Sequence, residues 1–307
     1  MDRRRAIASL CAAAGALATT IASAPARAAG DGPLRRAIPK GRGETIPAVG
    51  LGTWLTFDIG DAAAERARRG LVIDALLAGG GGMIDSSPMY GRAERVVGDL
   101  LATRGHAGRV FSATKVWTPF ERQGPEQAAE SLRLWRLPRL DLLYVHNLLQ
   151  WSAHLKTLRA LKERGQVRYI GVTTSHGRRH DEMLDVMRRE PLDFIQITYS
   201  PADTSAERVI DEAAGRGIAV VANRPFDGGA LVDRANRLPL PGWARELGCD
   251  AWAQVLLKWI VARPGVVCAI PATTDPAHMT QNMGALHGPL PDAAMRRRIL
   301  EHLQRSP

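Results

Sequence analysis

The chain has 307 residues, 45% apolar and 23% charged, with 30 Gly and 19 Pro. That composition excludes a disordered or collagen-like chain and is enough for a large buried core. Its 41 Lys and Arg against 31 Asp and Glu give a formal charge of +10, so the distribution of that charge decides whether a nucleic-acid partner is in play.

Residues 1–28 read MDRRRAIASLCAAAGALATTIASAPARA. A cationic start at Arg3, Arg4 and Arg5, an uncharged Ala-rich stretch from Ala6 to Ala24, and a small-residue site ending at Ala28 form the layout of an export signal. A membrane anchor is the rival reading, since the uncharged stretch is nearly long enough to span a bilayer. Ala, Ser, Thr and Gly supply little transfer energy, which favours export. The arginine pair resembles a twin-arginine signal, although Ala6 and Ile7 stand where stronger hydrophobes usually follow. The expectation is a periplasmic protein, folded before translocation, that meets the export machinery transiently and keeps no membrane span.

Removing the segment lowers the charge to +7. The remaining arginines (Arg66, Arg68 and Arg69; Arg178 and Arg179; Arg296 to Arg298) fall on helix-like stretches, and aromatics make up only 5% of the chain. Nucleic-acid platforms interleave cations with stacking rings, so these runs read as solvated helix faces and no nucleic-acid partner is expected. Cys249 and Cys268 lack the close spacing of a metal site. They are either one disulfide or two buried small apolar residues.

Residues 29–45 read as an N-terminal extension and 46–307 as one domain. Short apolar, β-branched runs at 48–52, 83–85, 110–114, 141–145, 167–172, 194–198, 219–222 and 267–270 are the expected strands. Amphipathic stretches at 62–77, 93–102, 124–135, 152–164, 179–188, 206–216 and 251–262 are the expected helices, with Ser152, Thr204 and Asp250 as candidate N-caps. Eight strand–helix units with no dividing linker predict a (β/α)8 TIM barrel, an α/β fold. A doubly wound dinucleotide fold would need its glycines after the first strand. Gly79 to Gly82 instead follow a helix and precede a strand, which suits a helix stop and tight turn.

Barrel chemistry sits at the C-terminal ends of the strands. Asp85 ends the second expected strand in GGMIDSSPMYG, with Tyr90 in the loop beyond; Lys115 ends the third in VFSATKVW, and His146 the fourth in LDLLYVHNL. Singly, each has an ordinary structural reading. Together they bring a carboxylate, a phenol, an ammonium and an imidazole to one rim, where buried charges need partners. No cluster of His and carboxylates suits a metal-dependent hydrolase, and no metal is expected.

In IPAVGLGTW, IDSSPMYG, TKVW, LDLLYVHN, GQVRYIGV, QITYSP, ANRPFDGGAL and IPATTDPAHMTQN the chain resembles the aldo-keto reductases. The resemblance implies a (β/α)8 barrel that reduces a small-molecule aldehyde or ketone with a nicotinamide cofactor, using Asp85, Tyr90, Lys115 and His146. Tyr90 would be the general acid, Lys115 would lower the phenol's pKa, Asp85 would hold the ammonium, and His146 would orient the carbonyl. For the cofactor the resemblance implies Gln196 at the carboxamide and Tyr199 stacked on the nicotinamide. Thr173 and Thr174 stand where the family has Ser-Asn. Pro225, Phe226, Gly228, Gly229 and Leu231 fall along the pyrophosphate, and Asn282 at the adenine.

After the eighth strand the family's Lys-Ser and later Arg, which grip the 2′-phosphate, are replaced by Ala272-Thr273 and His278. Thr273, Thr274, His278 and a helix N-terminus remain for that phosphate, so NADP(H) is expected over NAD(H). Trp54 and Trp117 on the rim are the expected walls of an apolar substrate pocket. A second reading, from a different class, is a nicotinamide-binding accessory or sensor protein without turnover, since reduced nicotinamide is not regenerated in an ordinary periplasm.

Overall fold

The computed structural model describes residues 32–305. The expected export signal lies outside the described residues. The chain opens with an antiparallel hairpin, β1 (Arg35–Ala37) and β2 (Thr45–Pro47). Strand–helix pairs follow: β3 (Leu51–Gly52) and α1 (Ala63–Ala78), β4 (Met83–Asp85) and α2 (Ala93–Thr103), β5 (Phe111–Val116) and α3 (Gln123–Trp135), β6 (Leu140–Val145) and α4 (Trp151–Glu163). The second half runs β7 (Val167–Thr173) and α5 (His180–Arg189), β8 (Phe194–Thr198) and α6 (Glu207–Gly215), β9 (Ala219–Asn223) with α7 (Ala230–Ala235) and α8 (Trp252–Val261), then β10 (Val266–Ala269), α9 (Pro276–Met283) and α10 (Ala293–Gln304).

Strands β3 to β10 pair in parallel in chain order. Bonds from Gly50 N to Ala269 O, Ala269 N to Ala48 O and Gly52 N to Pro271 O, each 2.9 Å, close the two edges on one another. The expected (β/α)8 barrel is the observed fold. The reason is visible in β5, where all six residues are buried: a parallel strand covered on both faces reads as a continuous run rather than an alternating one.

Along the middle of most strands the two faces separate by parity. Met83, Phe111, Ala113, Leu142, Tyr144, Tyr169, Phe194, Ala219 and Val221 point inward and pack in one cluster. Ile84, Leu143, Ile170, Ile195, Ile197, Val220 and Ala222 point outward against the helices. Ile38 and Ile46, next to and within the hairpin, join the inner cluster beside the first residues of the strands. The hairpin therefore plugs the N-terminal end of the barrel, and Leu34 and Ile38 of the expected extension are buried in the core. Glu44 anchors it by accepting hydrogen bonds from Arg168 and, at 2.7 Å, from the Tyr169 hydroxyl.

Local signals held unevenly. Gly79 ends α1 and Gly80 sits at φ +85, a left-handed turn that suits glycine. The three expected N-caps do not cap: Ser152 lies inside α4, whose cap is Gln150, and α6 and α8 are capped by Ala206 and Ala251. Asp275 and Asp292 cap α9 and α10 instead, each accepting an amide N–H from the first turn. Cys249 and Cys268 are buried free thiols.

Candidate active site

The inward parity that builds the barrel core continues to its C-terminal rim. Following Met83 comes Asp85; following Phe111 and Ala113 comes Lys115; following Leu142 and Tyr144 comes His146. Lys115 Nζ donates to Asp85 Oδ2 at 2.6 Å and to Ser86 O at 2.7 Å, and Gln196 Nε2 donates to Asp85 Oδ1 at 2.8 Å. Asp85 and Lys115 are buried. Burial pushes the Asp85 carboxyl up against the pull of Lys115 and Gln196. It also works against the Lys115 ammonium, but the adjoining Asp85 and Tyr90 hold that pKa above its ordinary value and keep the charge.

Tyr90 closes a single tight turn, Pro88–Tyr90, whose first residue Pro88 presets the backbone and whose cap, Ser87, accepts the Met89 N–H at 3.2 Å. Lys115 Nζ lies 5.1 Å from the centre of the phenol ring, and the ring meets His146 edge-on at 5.8 Å. The expected lowering of the phenol pKa by Lys115 is present, but burial outweighs it, and the phenol stands above its ordinary value. His146 Nδ1 is 2.9 Å from Ser87 Oγ. Burial, then the nearby Lys115, lowers the His146 pKa to about 2, so its ring is neutral.

These groups open onto a cleft of about 690 Å³, within the usual range for small-molecule sites. Asp85, Tyr90, His146, Thr173, Thr174, Gln196, Pro225, Phe226, Gly228, Gly229, Thr273, His278, Asn282 and Trp54 all line it. Thr173 Oγ1 accepts the Asn147 N–H at 3.0 Å, whereas Thr174 Oγ1 is buried with no hydrogen-bond partner among the described residues. Gly228 and Gly229 sit at φ +69 and +107, and neither has a non-neighbouring atom within 3.5 Å of where a Cβ would stand. The backbone there is free to approach a ligand closely.

Lys115 and Thr274 do not line the cleft, and three more expected residues lie elsewhere. Tyr199 is fully buried and is not part of the cleft wall; it packs on Trp259 at 5.2 Å, donates to Glu207 Oε1 at 2.7 Å and accepts from Arg296 at 2.5 Å. Parity explains it: Ile195, Ile197 and Tyr199 share the outward face, while Gln196 faces in. Leu231 is buried in α7 behind the loop. Trp117 is exposed on the rim but outside the cleft wall, its backbone N–H donating to Gln127 Oε1 at 2.5 Å.

The structure also adds residues. Asn223, inward by the parity of Ala219 and Val221, lines the cleft, donates to Thr174 O at 2.9 Å and accepts from Thr198 Oγ1 at 2.8 Å. Period-two alternation within 219–223 was the signal for it. Arg224 lies over the Trp54 ring at 5.7 Å. At the N-terminus of α9, Asp275 accepts from Ala277 N at 2.8 Å and pairs with Arg68 at 2.8 Å, while Arg68 Nε donates to Thr274 O at 3.0 Å. A carboxylate thus already caps that helix. No local pattern pairs Arg68 with Asp275, which are brought together only because α1 packs on α9. Among the described residues, no group of three or more His, Cys, Asp or Glu is placed to hold a metal ion, and no helix is long and apolar enough to cross a membrane.

Comparison with known proteins agrees with this architecture. The methylglyoxal reductase YeaE of Escherichia coli K12 is 27% identical over 263 residues, covering 82% of this chain and 89% of its own. An aldo-keto reductase of Mycolicibacterium vanbaalenii is 30% identical over 250 residues, with 78% and 82% covered. A Klebsiella pneumoniae aldo-keto reductase solved with NADPH superposes with a TM-score of 0.73 at 25% identity, covering 89% of this chain and 96% of that one. Another structure from that organism, with NADP and acetate, gives 0.70 at 26% identity, with 87% and 94% covered. The profile of the Aldo/keto reductase family matches residues 48–299, nearly the whole of the barrel, and the chain belongs to that family of oxidoreductases.

Proposed function

We propose that the protein reduces an aldehyde or ketone to the alcohol with a nicotinamide dinucleotide, NADPH in preference to NADH, and that Asp85, Tyr90, Lys115 and His146 carry the chemistry. The observation that supports this most directly is the buried Asp85–Lys115 pair beneath Tyr90, with a neutral His146 on the same wall of the cleft.

The cleft residues fit such a cofactor. The partnerless Thr174 hydroxyl is a free donor and acceptor for a carboxamide, and the open, left-handed Gly228–Gly229 backbone suits a pyrophosphate. Thr174, which replaces the family's Asn, makes fewer such bonds than an amide side chain. Held there by Thr174, Gln196 and the Gly228–Gly229 backbone, a reduced nicotinamide would supply the hydride for the carbonyl carbon.

The chain's own residues then handle the proton. As negative charge grows on the carbonyl oxygen, Tyr90 donates its phenol proton to it, and the raised phenol pKa keeps that proton available across the neutral range. Lys115, held by Asp85, stabilises the phenolate left behind, which solvent reprotonates. His146 stays uncharged, so it orients the carbonyl as a hydrogen-bond donor rather than as a second acid.

The NADP-bound Klebsiella structures support the NADPH preference. In this chain Thr273, Thr274, His278 and the N-terminus of α9 would receive the 2′-phosphate, with Asn282 at the adenine. Trp54 on the cleft wall, with Met89 beside it and Trp117 exposed on the rim, favours a carbonyl with an apolar body. Methylglyoxal and larger aromatic aldehydes are the substrates to compare, monitored by NADPH oxidation. In that assay Tyr90→Phe is expected to lose at least ~100-fold in kcat, the usual scale of general acid catalysis, while still binding NADPH. Near-normal kcat in that variant refutes the assignment.

For residues 1–28 we propose export to the periplasm. Cell fractionation with and without that segment checks it, and retention of the intact chain in the cytoplasm counts against it.

A further inference from the structure

We propose that Ser87 is a positioning residue that fixes the tautomer of His146, so that the imidazole presents an N–H to the cleft. The inference deepens the reductase reading and rests on it for its meaning, though not for its test.

Ser87 Oγ and His146 Nδ1 lie 2.9 Å apart, and both residues are buried. The same oxygen receives the Met89 N–H at 3.2 Å. An amide N–H can only donate, so the serine oxygen is the acceptor in that contact. A hydroxyl carries a single proton, and among the described residues Nδ1 is the only acceptor within its reach. The arrangement that satisfies every group is therefore Ser87 O–H donating to Nδ1. The opposite tautomer would put a proton on Nδ1, turn it into a donor, and strand the serine proton in a buried site.

With Nδ1 accepting, the one proton of a neutral imidazole sits on Nε2. Among the described residues no partner is seen for that nitrogen, and His146 lines the cleft. The geometry thus aims an N–H at the position where a carbonyl oxygen would be held. A carboxylate at Nδ1 would have favoured the imidazolium; a hydroxyl does not, which agrees with the depressed pKa of His146.

The local sequence explains why this serine serves and its neighbour does not. Ser86 Oγ is engaged elsewhere, 2.9 Å from Thr53 Oγ1, whose single proton faces the Asp85 carbonyl at 3.0 Å. Ser87, at φ −165, is extended and caps the turn that carries Tyr90. One side chain thereby couples the turn of the proposed acid to the ring of the proposed carbonyl donor.

The test uses the folded, full-length protein labelled with ¹⁵N-histidine, the His146 signals being identified by their loss in His146→Asn. Long-range proton–nitrogen correlation reads the tautomer directly. The wild type is expected to carry its proton on Nε2, and a proton on Nδ1 in the wild type overturns the proposal without any mutation at Ser87. In Ser87→Ala the population should move toward the Nδ1–H form. kcat should fall about tenfold, less than the ~10²–10³-fold cost of deleting an oxyanion donor outright, with KM for the nucleotide unchanged. Ser87→Thr, which keeps the hydroxyl, should restore both. A Ser87→Ala protein with the wild-type tautomer and wild-type kcat refutes the role. Turnover by the wild type reports separately on the reductase reading, so each can fail alone.

Discussion

Breaking the Asp85–Lys115 pair one partner at a time and then together separates its structural from its chemical contribution. The two charges are 2.6 Å apart, and their side chains are 3% and 0% exposed. Removing one partner of such a pair leaves an uncompensated buried charge, which costs about 3–5 kcal/mol, whereas replacing both by neutral groups of similar volume is often close to neutral. For a barrel of this size about 2–4 °C of Tm accompanies each kcal/mol. Lys115→Met is therefore expected to lower Tm by roughly 6–20 °C at pH 7, and Asp85→Asn to lower it substantially as well, since Gln196 alone then faces the orphaned ammonium.

The double variant should be more stable than the sum of the two singles predicts. The pH dependence carries a sign. With Lys115 gone, Asp85 keeps the burial that raises its carboxyl pKa above the unfolded value. A group raised in the folded state stabilises at low pH and loses that contribution as pH rises, so the deficit of Lys115→Met should shrink as pH falls from 7 toward 4. Thermal unfolding at several pH values, alongside NADPH oxidation, reads both effects. All three variants should be nearly inactive, whatever their Tm. Strict additivity of the two single losses, or a deficit that does not depend on pH, would refute the reasoning.

Three further outcomes follow from the same geometry. Because His146 is neutral down to about pH 2 and the Tyr90 phenol is raised, kcat/KM for carbonyl reduction should be level between pH 6 and 8 and fall only as the phenol deprotonates, while alcohol oxidation rises with pH. A step near pH 6.5 in the reduction profile would contradict this. Thr174→Val removes a buried hydroxyl that has no partner, so it should raise Tm slightly yet weaken nucleotide binding several-fold, measured by fluorescence titration, since an unmade buried hydrogen bond costs about 1–3 kcal/mol. Ala272→Lys restores a cation beside the α9 N-terminus, where Asp275 now supplies a carboxylate. It should tighten NADPH up to about fivefold and leave NADH unchanged, the scale of an exposed charge pair.

The barrel was legible because its causes are local and repeated. Runs such as AVVA at 219–222 and VVCA at 266–269 are apolar throughout, as suits a strand covered on both faces, and eight short, largely buried runs alternate with amphipathic stretches. Asp85, Lys115 and His146 stood out for the same reason: each breaks such a run at its C-terminal end. The hairpin at 35–47 gave no comparable signal, since three-residue strands are too short to show a period. It forms because the open end of a barrel leaves Met83, Phe111 and Phe194 in need of cover. The N-caps were misread for a related reason: Ser152 and its like are frequent at helix starts, but the entry angle of each helix is set by its packing.

At the cleft the division is between residue type and direction. The order of residues was sufficient to place the carboxylate, ammonium and imidazole at consecutive strand ends, with the phenol in the turn after the first of them, because strand order in a parallel barrel follows chain order. Direction came from alternation and packing. It sent Tyr199 outward to Trp259 while bringing in Asn223, and burial overrode the pull of Lys115 on the Tyr90 phenol. The pairing of Arg68 with Asp275, 207 residues apart, and the contact of Ser87 with His146 arise only when separate strands and helices close around a common axis. Desolvation and hydrogen-bond partners are properties of the folded surroundings, and no stretch of chain carries them alone.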